Sequence, residues 1–321
     1  MGKDLANLHV IKTLWGIDDP ISPELFQSLQ KEGYHGVEVI RLAWLNDADR
    51  AKLIQSLNES KLAVVCQVHT CGGYLTEKYE YIYCEAYDVA KHKEDFKKQM
   101  RECYDLINEV TAGGFINVHA GVDAWSNEEA ITFLEFCLTE IQNKFPNIPV
   151  TFETHRQRLF GNPFQTRELL SLLPAIESRL GSTLKLNADL SHWYCACERV
   201  FNSKEERDHW WPNLLTSISE RCHYIHARFG WAQGPQMADP SAAECESDVE
   251  LQKSVWMTLM KAQQKNRSGF EVFVCPEYGP APYMTVHPHT QEPIASLSNA
   301  VSYTKGVIED LYETDVMTER G

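Results

Sequence analysis

The stretch Pro149-Val150-Thr151-Phe152-Glu153-Thr154-His155-Arg156 is a short, β-prone and largely apolar run that stops on a cluster of ionisable side chains, and helical sequence follows it at Thr166–Glu177. The same unit recurs in both directions from there. Runs of this kind lie at His9–Trp15, Gly36–Ile40, Leu62–His69, Phe115–His119, Leu184–Leu190, His223–Arg228 and Glu271–Glu277, which with Pro149–Thr154 makes eight. Helical candidates alternate with them at Pro23–Glu32, Asp47–Asn58, His92–Thr111, Asn127–Phe145, Lys204–Ser219, Asp248–Gln264 and Ser296–Leu311. Most of the strand runs are nearly continuous in apolar character, as parallel strands buried on both faces require. Eight strand–helix units within 321 residues predict an α/β protein, a single TIM-type (β/α)8 barrel domain spanning 1–321; a doubly wound sheet usually has fewer units.

Local signals agree with this spacing. Ser22-Pro23-Glu24 offers a cap followed by proline at the first helical position, and Ser126-Asn127-Glu128-Glu129 puts a cap and carboxylates where the helix dipole favours them. Gly33, Gly113-Gly114 and Gly181 follow helical stretches, where a helix stop belongs. No glycine-rich dinucleotide fingerprint follows the first strand, and no phosphate-cradling Gly-Lys-Ser/Thr loop occurs. Two connections, Cys71–Ala90 and Pro280–Pro293, are longer than the helices need and would overlie the C-terminal mouth of a barrel as lids or oligomer contacts.

The composition excludes several classes. With 43% hydrophobic and 23% charged residues the chain reads as an ordinary globular protein. The start, Met1–Asn7, is polar, and apolar runs such as Leu62-Ala63-Val64-Val65-Cys66 are too short to span a bilayer, so the expectation is a cytoplasmic protein without a membrane partner. A net charge of −15 disfavours a nucleic-acid partner. Ten cysteines without a secretory signal are expected as thiols; Cys195-Ala196-Cys197 is the one close pair and lacks the second pair that a zinc site needs.

Ionisable residues concentrate at the strand ends. They are His69, His119, Glu153-Thr154-His155-Arg156, Asp189-Leu190-Ser191-His192, His226-Ala227-Arg228 and Pro276-Glu277-Tyr278. Taken singly, a carboxylate there is commonly a helix cap and a histidine a satisfied rim residue. Three carboxylates converging on one mouth, however, would repel and raise one another's pKa unless a cation balanced them. Two Glu, one Asp and one His form a hard, oxygen-rich set suited to one divalent ion: Mn²⁺, Mg²⁺, Co²⁺ or Zn²⁺.

The order Glu153…Asp189-x-x-His192…His226-x-Arg228…Glu277 resembles the xylose-isomerase-like TIM barrels, a superfamily of sugar and sugar-phosphate isomerases and epimerases that also contains the endonuclease IV-type nucleases. The resemblance covers essentially the whole chain. It implies Glu153, Asp189, His226 and Glu277 as metal ligands and His192 as a substrate contact. Arg228 would bind substrate oxygens, although the family's spacing to that arginine varies. The implied activity is metal-dependent isomerisation or epimerisation of a ketose or related polyol by proton transfer through a metal-bound enediolate, with Glu153 and Glu277 as the catalytic proton carriers. His69, His119, Arg156 and Trp15 are candidate pocket walls, the indole offering a flat face to a small-molecule carbohydrate. Related barrels often dimerise or tetramerise, which leaves a homo-oligomer open.

Two other activities fit the same ligands. A metal-dependent lyase or dehydratase on a keto-polyol would use enolate chemistry to expel a β-hydroxyl. An endonuclease IV-like zinc nuclease would also draw on His69 and His119, but the Asp-x-His pair that such nucleases place downstream is missing: Asp239 is followed by Pro240 and Ser241. A non-catalytic barrel would require that no metal bind.

Overall fold

The structure is a computed structural model and describes residues 7–39, 42, 45–70, 74–75, 81–82, 88–267, 269 and 271–316. Among the described residues, ten strands occur in chain order: β1 (Leu8–Thr13), β2 (Gly36–Val39), β3 (Ala63–His69), β4 (Tyr74–Leu75), β5 (Tyr81–Ile82), β6 (Gly114–His119), β7 (Val150–Glu153), β8 (Leu186–Ala188), β9 (Cys222–His226) and β10 (Val272–Cys275). Eight of them form a closed parallel barrel in the order β1-β10-β9-β8-β7-β6-β3-β2, and β4 and β5 pair antiparallel on their own. The chain therefore has the (β/α)8 architecture that its alternation predicts. Its helices are α1 (Pro23–Lys31), α2 (Asp47–Ser60), α3 (Val89–Glu109), α4 (Asn127–Lys144), α5 (Pro163–Leu180), α6 (Ser191–Ala196), α7 (Trp211–Ser219), α8 (Glu246–Asn266) and α9 (Leu297–Leu311).

Two compact units make up the chain: Ile17–Lys185, with β2, β3, β6 and β7, and Met1–Gly16 together with Leu186–Gly321, with β1, β8, β9 and β10. In the first, β3 pairs in register with β6 so that His69 lies opposite His119. In the second, Val274 and Cys275 of β10 stand opposite Ile225 and His226 of β9. Strands of both units are buried on both faces, β2 and β7 along their whole length.

Caps fall where the sequence puts them. Ser22 accepts from the Leu25 amide ahead of Pro23, and Ser126 with Glu129 forms a reciprocal capping box. Gly181 ends α5 at φ 65°, a left-handed position that a Cβ would strain. Helix α5 begins at Pro163, before the expected Thr166, because the Asn162 side chain accepts from the Phe164 and Gln165 amides.

The expected helix Lys204–Ser219 is shorter than its pattern suggests. Only Trp211–Ser219 is α-helical, behind a single 3₁₀ turn at Glu206–Asp208. Fully buried Asp208 accepts from the Arg199 guanidinium at 3.0 and 2.9 Å and from the Asn202 amide at 3.0 Å, which pins this segment in an irregular path. Strands 6 to 8 of the barrel also stop earlier than their apolar runs, so Asp189, Arg228 and Glu277 lie one or two residues beyond the ladder. Of the two long connections, Pro280–Pro293 is ordered as turns closed by a bridge between Val286 and Pro293. Most of Cys71–Ala90, the residue Ile40 and residues 1–6 lie outside the described residues. Among the described residues, no helix is long and apolar enough to cross a membrane.

Candidate metal and substrate site

Three of the four expected ligands come together within one unit. Asp189 follows β8, His226 closes β9 and Glu277 stands two residues past β10. Their ligand atoms all lie within 4.8 Å of one another, and all three side chains are buried. His226 Nδ1 is 3.3 Å from Glu277 Oε2. One imidazole and two carboxylates, closely spaced and withdrawn from water, are a donor set that fits a divalent cation, since buried carboxylates of like charge need a positive partner.

Part of that positive charge is supplied by the protein itself. The Arg228 side chain is 1% exposed, and its guanidinium reaches Asp189 Oδ2 at 2.5 Å and Glu277 Oε2 at 3.0 Å. Arg228 also donates to Ser191 Oγ at 3.2 Å and to His192 Nε2 at 3.0 Å. Accepting at Nε2 assigns His192 as the neutral imidazole with its proton on Nδ1. Asp189 Oδ1 accepts from both the amide (3.1 Å) and the hydroxyl (2.5 Å) of Ser191, and this local turn starts the short helix α6 that carries His192.

The loops behind these residues are held by buried amides. Gln252, on α8, bonds both the N–H and the C=O of Gly230 at 2.9 Å. Gln236 does the same to Gly279, at 2.9 and 3.0 Å. The Tyr278 hydroxyl accepts from the Phe229 amide at 3.1 Å and from Thr304 Oγ1 at 3.0 Å, and burial pushes its pKa up to about 12. Each tie falls within two residues of Arg228 or Glu277, so both side chains project from anchored backbone. Trp15 packs flat on Gly279, where a Cβ would sit 2.3 Å from the indole. Tyr283 meets it edge-on at 4.7 Å and lies under the Arg228 guanidinium at 5.0 Å.

The other unit carries Glu153, at the end of β7 and almost fully buried. Its Oε2 accepts from Asn117 Nδ2 at 2.6 Å and faces His119 Nε2 at 3.0 Å. Thr151 orients Asn117 by donating to Oδ1 at 3.3 Å. His119, Glu153 and His155 form a further group with metal-ligand spacing. His69 stacks on His119, ring centroids 4.0 Å apart, while its Nε2 contacts Gln67 Oε1 at 2.9 Å and its backbone is held by Gln99. Burial, and after it the neighbouring His119, lower the His155 pKa to about 3, so this imidazole is neutral. Arg156 is half-buried in the turn after β7.

The structure thus brings the expected site residues Asp189, His226, Glu277, His192 and Arg228 near one another. Sequence reasoning did not assign Ser191, Tyr283, Asn117 or His155. The last stands in the quoted run Glu153-Thr154-His155-Arg156, so strand-end position was its signal; nothing in the sequence singles out Tyr283 or Asn117.

No protein-family model matches the chain, and no curated protein matches it in sequence. Solved structures match it in fold. A structure of the IOLI protein with a bound zinc atom is 12% identical with a TM-score of 0.54, over 96% of this chain and 99% of that one. An AP endonuclease of family 2 from Brucella melitensis is 11% identical with a TM-score of 0.50, over 85% and 93%. A GH5_18 protein from Streptomyces cattleya, in complex with GlcNAc, is 10% identical with a TM-score of 0.53, over 95% and 79%. At these identities the likeness is one of fold: the chain is a TIM-type (β/α)8 barrel.

Proposed function

We propose that this protein is a divalent-metal-dependent isomerase or epimerase of a ketose or related polyol. The observation that carries the reading is the buried trio Asp189, His226 and Glu277 at the ends of three successive barrel strands, with His192 and Arg228 against it. Glu153 is assigned as the fourth ligand by the order of strand-end residues in the sequence. The ion, when bound, would polarise a substrate carbonyl and acidify the adjacent C–H.

The remaining roles belong to the chain. Glu277 and Glu153 are assigned to take and return the carbon-bound proton, each through a carboxylate oxygen left to the substrate. Arg228 supplies donors for a developing oxyanion, and His192 holds its guanidinium by accepting at Nε2. Trp15 and Tyr283 give the carbon skeleton an apolar wall and keep bulk water from the exchanging proton. A bound zinc in the IOLI protein accords with a metal in a barrel of this fold.

The test is hydrogen exchange. Metal-replete protein incubated in D2O with a panel of ketoses and keto-polyols should incorporate deuterium at the carbon next to the carbonyl. Glu277→Gln should abolish incorporation with an unchanged circular dichroism spectrum. Absence of exchange across the panel, or retained exchange in the variant, refutes the assignment.

A second reading, a polynuclear hydrolase of endonuclease IV type, is favoured by one observation, the additional grouping of His119, Glu153 and His155. Metal analysis discriminates: one ion per chain supports the isomerase, and two or three support the hydrolase.

A further inference from the structure

Arg228 takes the same oxygens that an ion would need. Its Nη2 is on Asp189 Oδ2 and its Nη1 on Glu277 Oε2, while the other oxygen of Asp189 is already held by the Ser191 amide and hydroxyl. We propose that Arg228 is a resident counter-cation that competes with the divalent ion for Asp189 and Glu277, and so sets how tightly the site binds metal. This inference rests on the metal reading above and concerns the regulation of that same site.

Two physical effects act together. An ion entering the trio must displace the guanidinium from Asp189 Oδ2, from Glu277 Oε2 or from both, losing charge-assisted hydrogen bonds made out of reach of water. It must also sit within a few ångströms of a buried positive charge, where the repulsion is weakly screened. Arg228 can yield without leaving the site, because three of its contacts do not involve the carboxylates. Nε stays with Ser191 Oγ, Nη2 with His192 Nε2, and the guanidinium carbon lies 5.0 Å over the Tyr283 ring. Without the ion the side chain makes all of these contacts from one position; with the ion bound it keeps those to Ser191, His192 and Tyr283 while Nη1 swings off Glu277. In the metal-free protein it also keeps two buried carboxylates from repelling each other.

The experiment is calorimetric titration of chelator-stripped protein with Mn²⁺ or Co²⁺, comparing wild type, Arg228→Gln and Arg228→Lys. Arg228→Gln should bind the ion at least about tenfold more tightly, since it removes both the competitor and the repelling charge. Arg228→Lys should fall between, because a single ammonium cannot bridge two carboxylates as the planar fork does. The metal-induced rise in Tm should be larger in Arg228→Gln than in wild type, from a lower metal-free value. Equal or weaker binding by folded Arg228→Gln overturns the proposal and makes Arg228 an organiser of the ligands. If that variant does not fold, Arg228→Lys decides: tighter binding than wild type supports competition, and equal or weaker binding overturns it. If neither wild type nor the variants take up the ion, the metal reading itself fails and this inference falls with it. Equal affinities overturn the competition alone.

Discussion

Asp189→Asn isolates what the buried carboxylate contributes, because it keeps the shape and removes the charge. In the native site Oδ1 accepts two donors from Ser191 and Oδ2 accepts Nη2 of Arg228. An asparagine has one acceptor oxygen, so its amide group must face either the Ser191 donors or the Arg228 donor, setting N–H against N–H. Removing one partner of a buried ion pair costs about 3–5 kcal/mol. Arg228 keeps Glu277, so the lower end, about 3 kcal/mol, is expected here. With an unfolding entropy of about 2.1 cal/mol/K per residue over 321 residues, that corresponds to a fall in Tm of about 4–5 °C. Differential scanning calorimetry of the metal-free variant reads this directly, and titration of the same sample should show ion binding lost. Ser191→Ala, which removes the hydroxyl's bond to the same carboxylate and its bond from Arg228 but leaves the ion pair in place, should cost about 1.5–3 kcal/mol and leave ion binding intact. An Asp189→Asn protein with wild-type Tm and wild-type ion binding would show that the pair with Arg228 contributes nothing and that Asp189 is no ligand.

Gly279→Ala drives a Cβ to 2.3 Å from the Trp15 indole, so the ring must move or the fold must strain, at about 1–3 kcal/mol. Tryptophan fluorescence should shift, KM should rise more than kcat falls, and Trp15→Ala in the same chain should relieve most of the stability loss; additive losses would mean the contact is not made. His155 carries a pH prediction. Its folded pKa of about 3 lies below the ordinary 6.5, so the unfolded chain binds the extra proton between those values. Stability of the metal-free protein should be complete above pH 6.5 and fall progressively towards pH 3, and His155→Asn should flatten that decline in Tm; an unchanged slope would assign the acid sensitivity elsewhere. Burial raises the thiols of Cys137 and Cys222, the latter to about 12, so peptides bearing them should resist iodoacetamide at pH 8.5 in the native protein and react once unfolded. Native labelling at either position would mean that these strands and helices open.

The barrel was legible in the sequence for a local reason. Parallel strands buried on both faces need continuous apolar runs, and the intervening helices announce themselves by caps such as Ser126 with Glu129 and Ser22 before Pro23. The strand-end position of Asp189, His226 and Glu277 was legible for a related one. A carboxylate directly after such a run has left the ladder but is still within the barrel's mouth, as Asp189 and Glu277 are. What sequence could not supply were contacts between residues distant along the chain. Asp208 breaks the expected helix from Lys204 because Arg199 and the Asn202 amide claim its carboxylate, which overrides helical propensity. Tyr283 lies under Arg228 because the Pro280–Pro293 connection folds back, and no periodicity encodes that. The sequence alone determined which residues carry charge at the strand ends. Only the tertiary structure decided that Arg228 spans two of those carboxylates: the pairing of residues 39 and 49 positions apart is set by side-chain geometry in a water-excluded space, and no local pattern can express it.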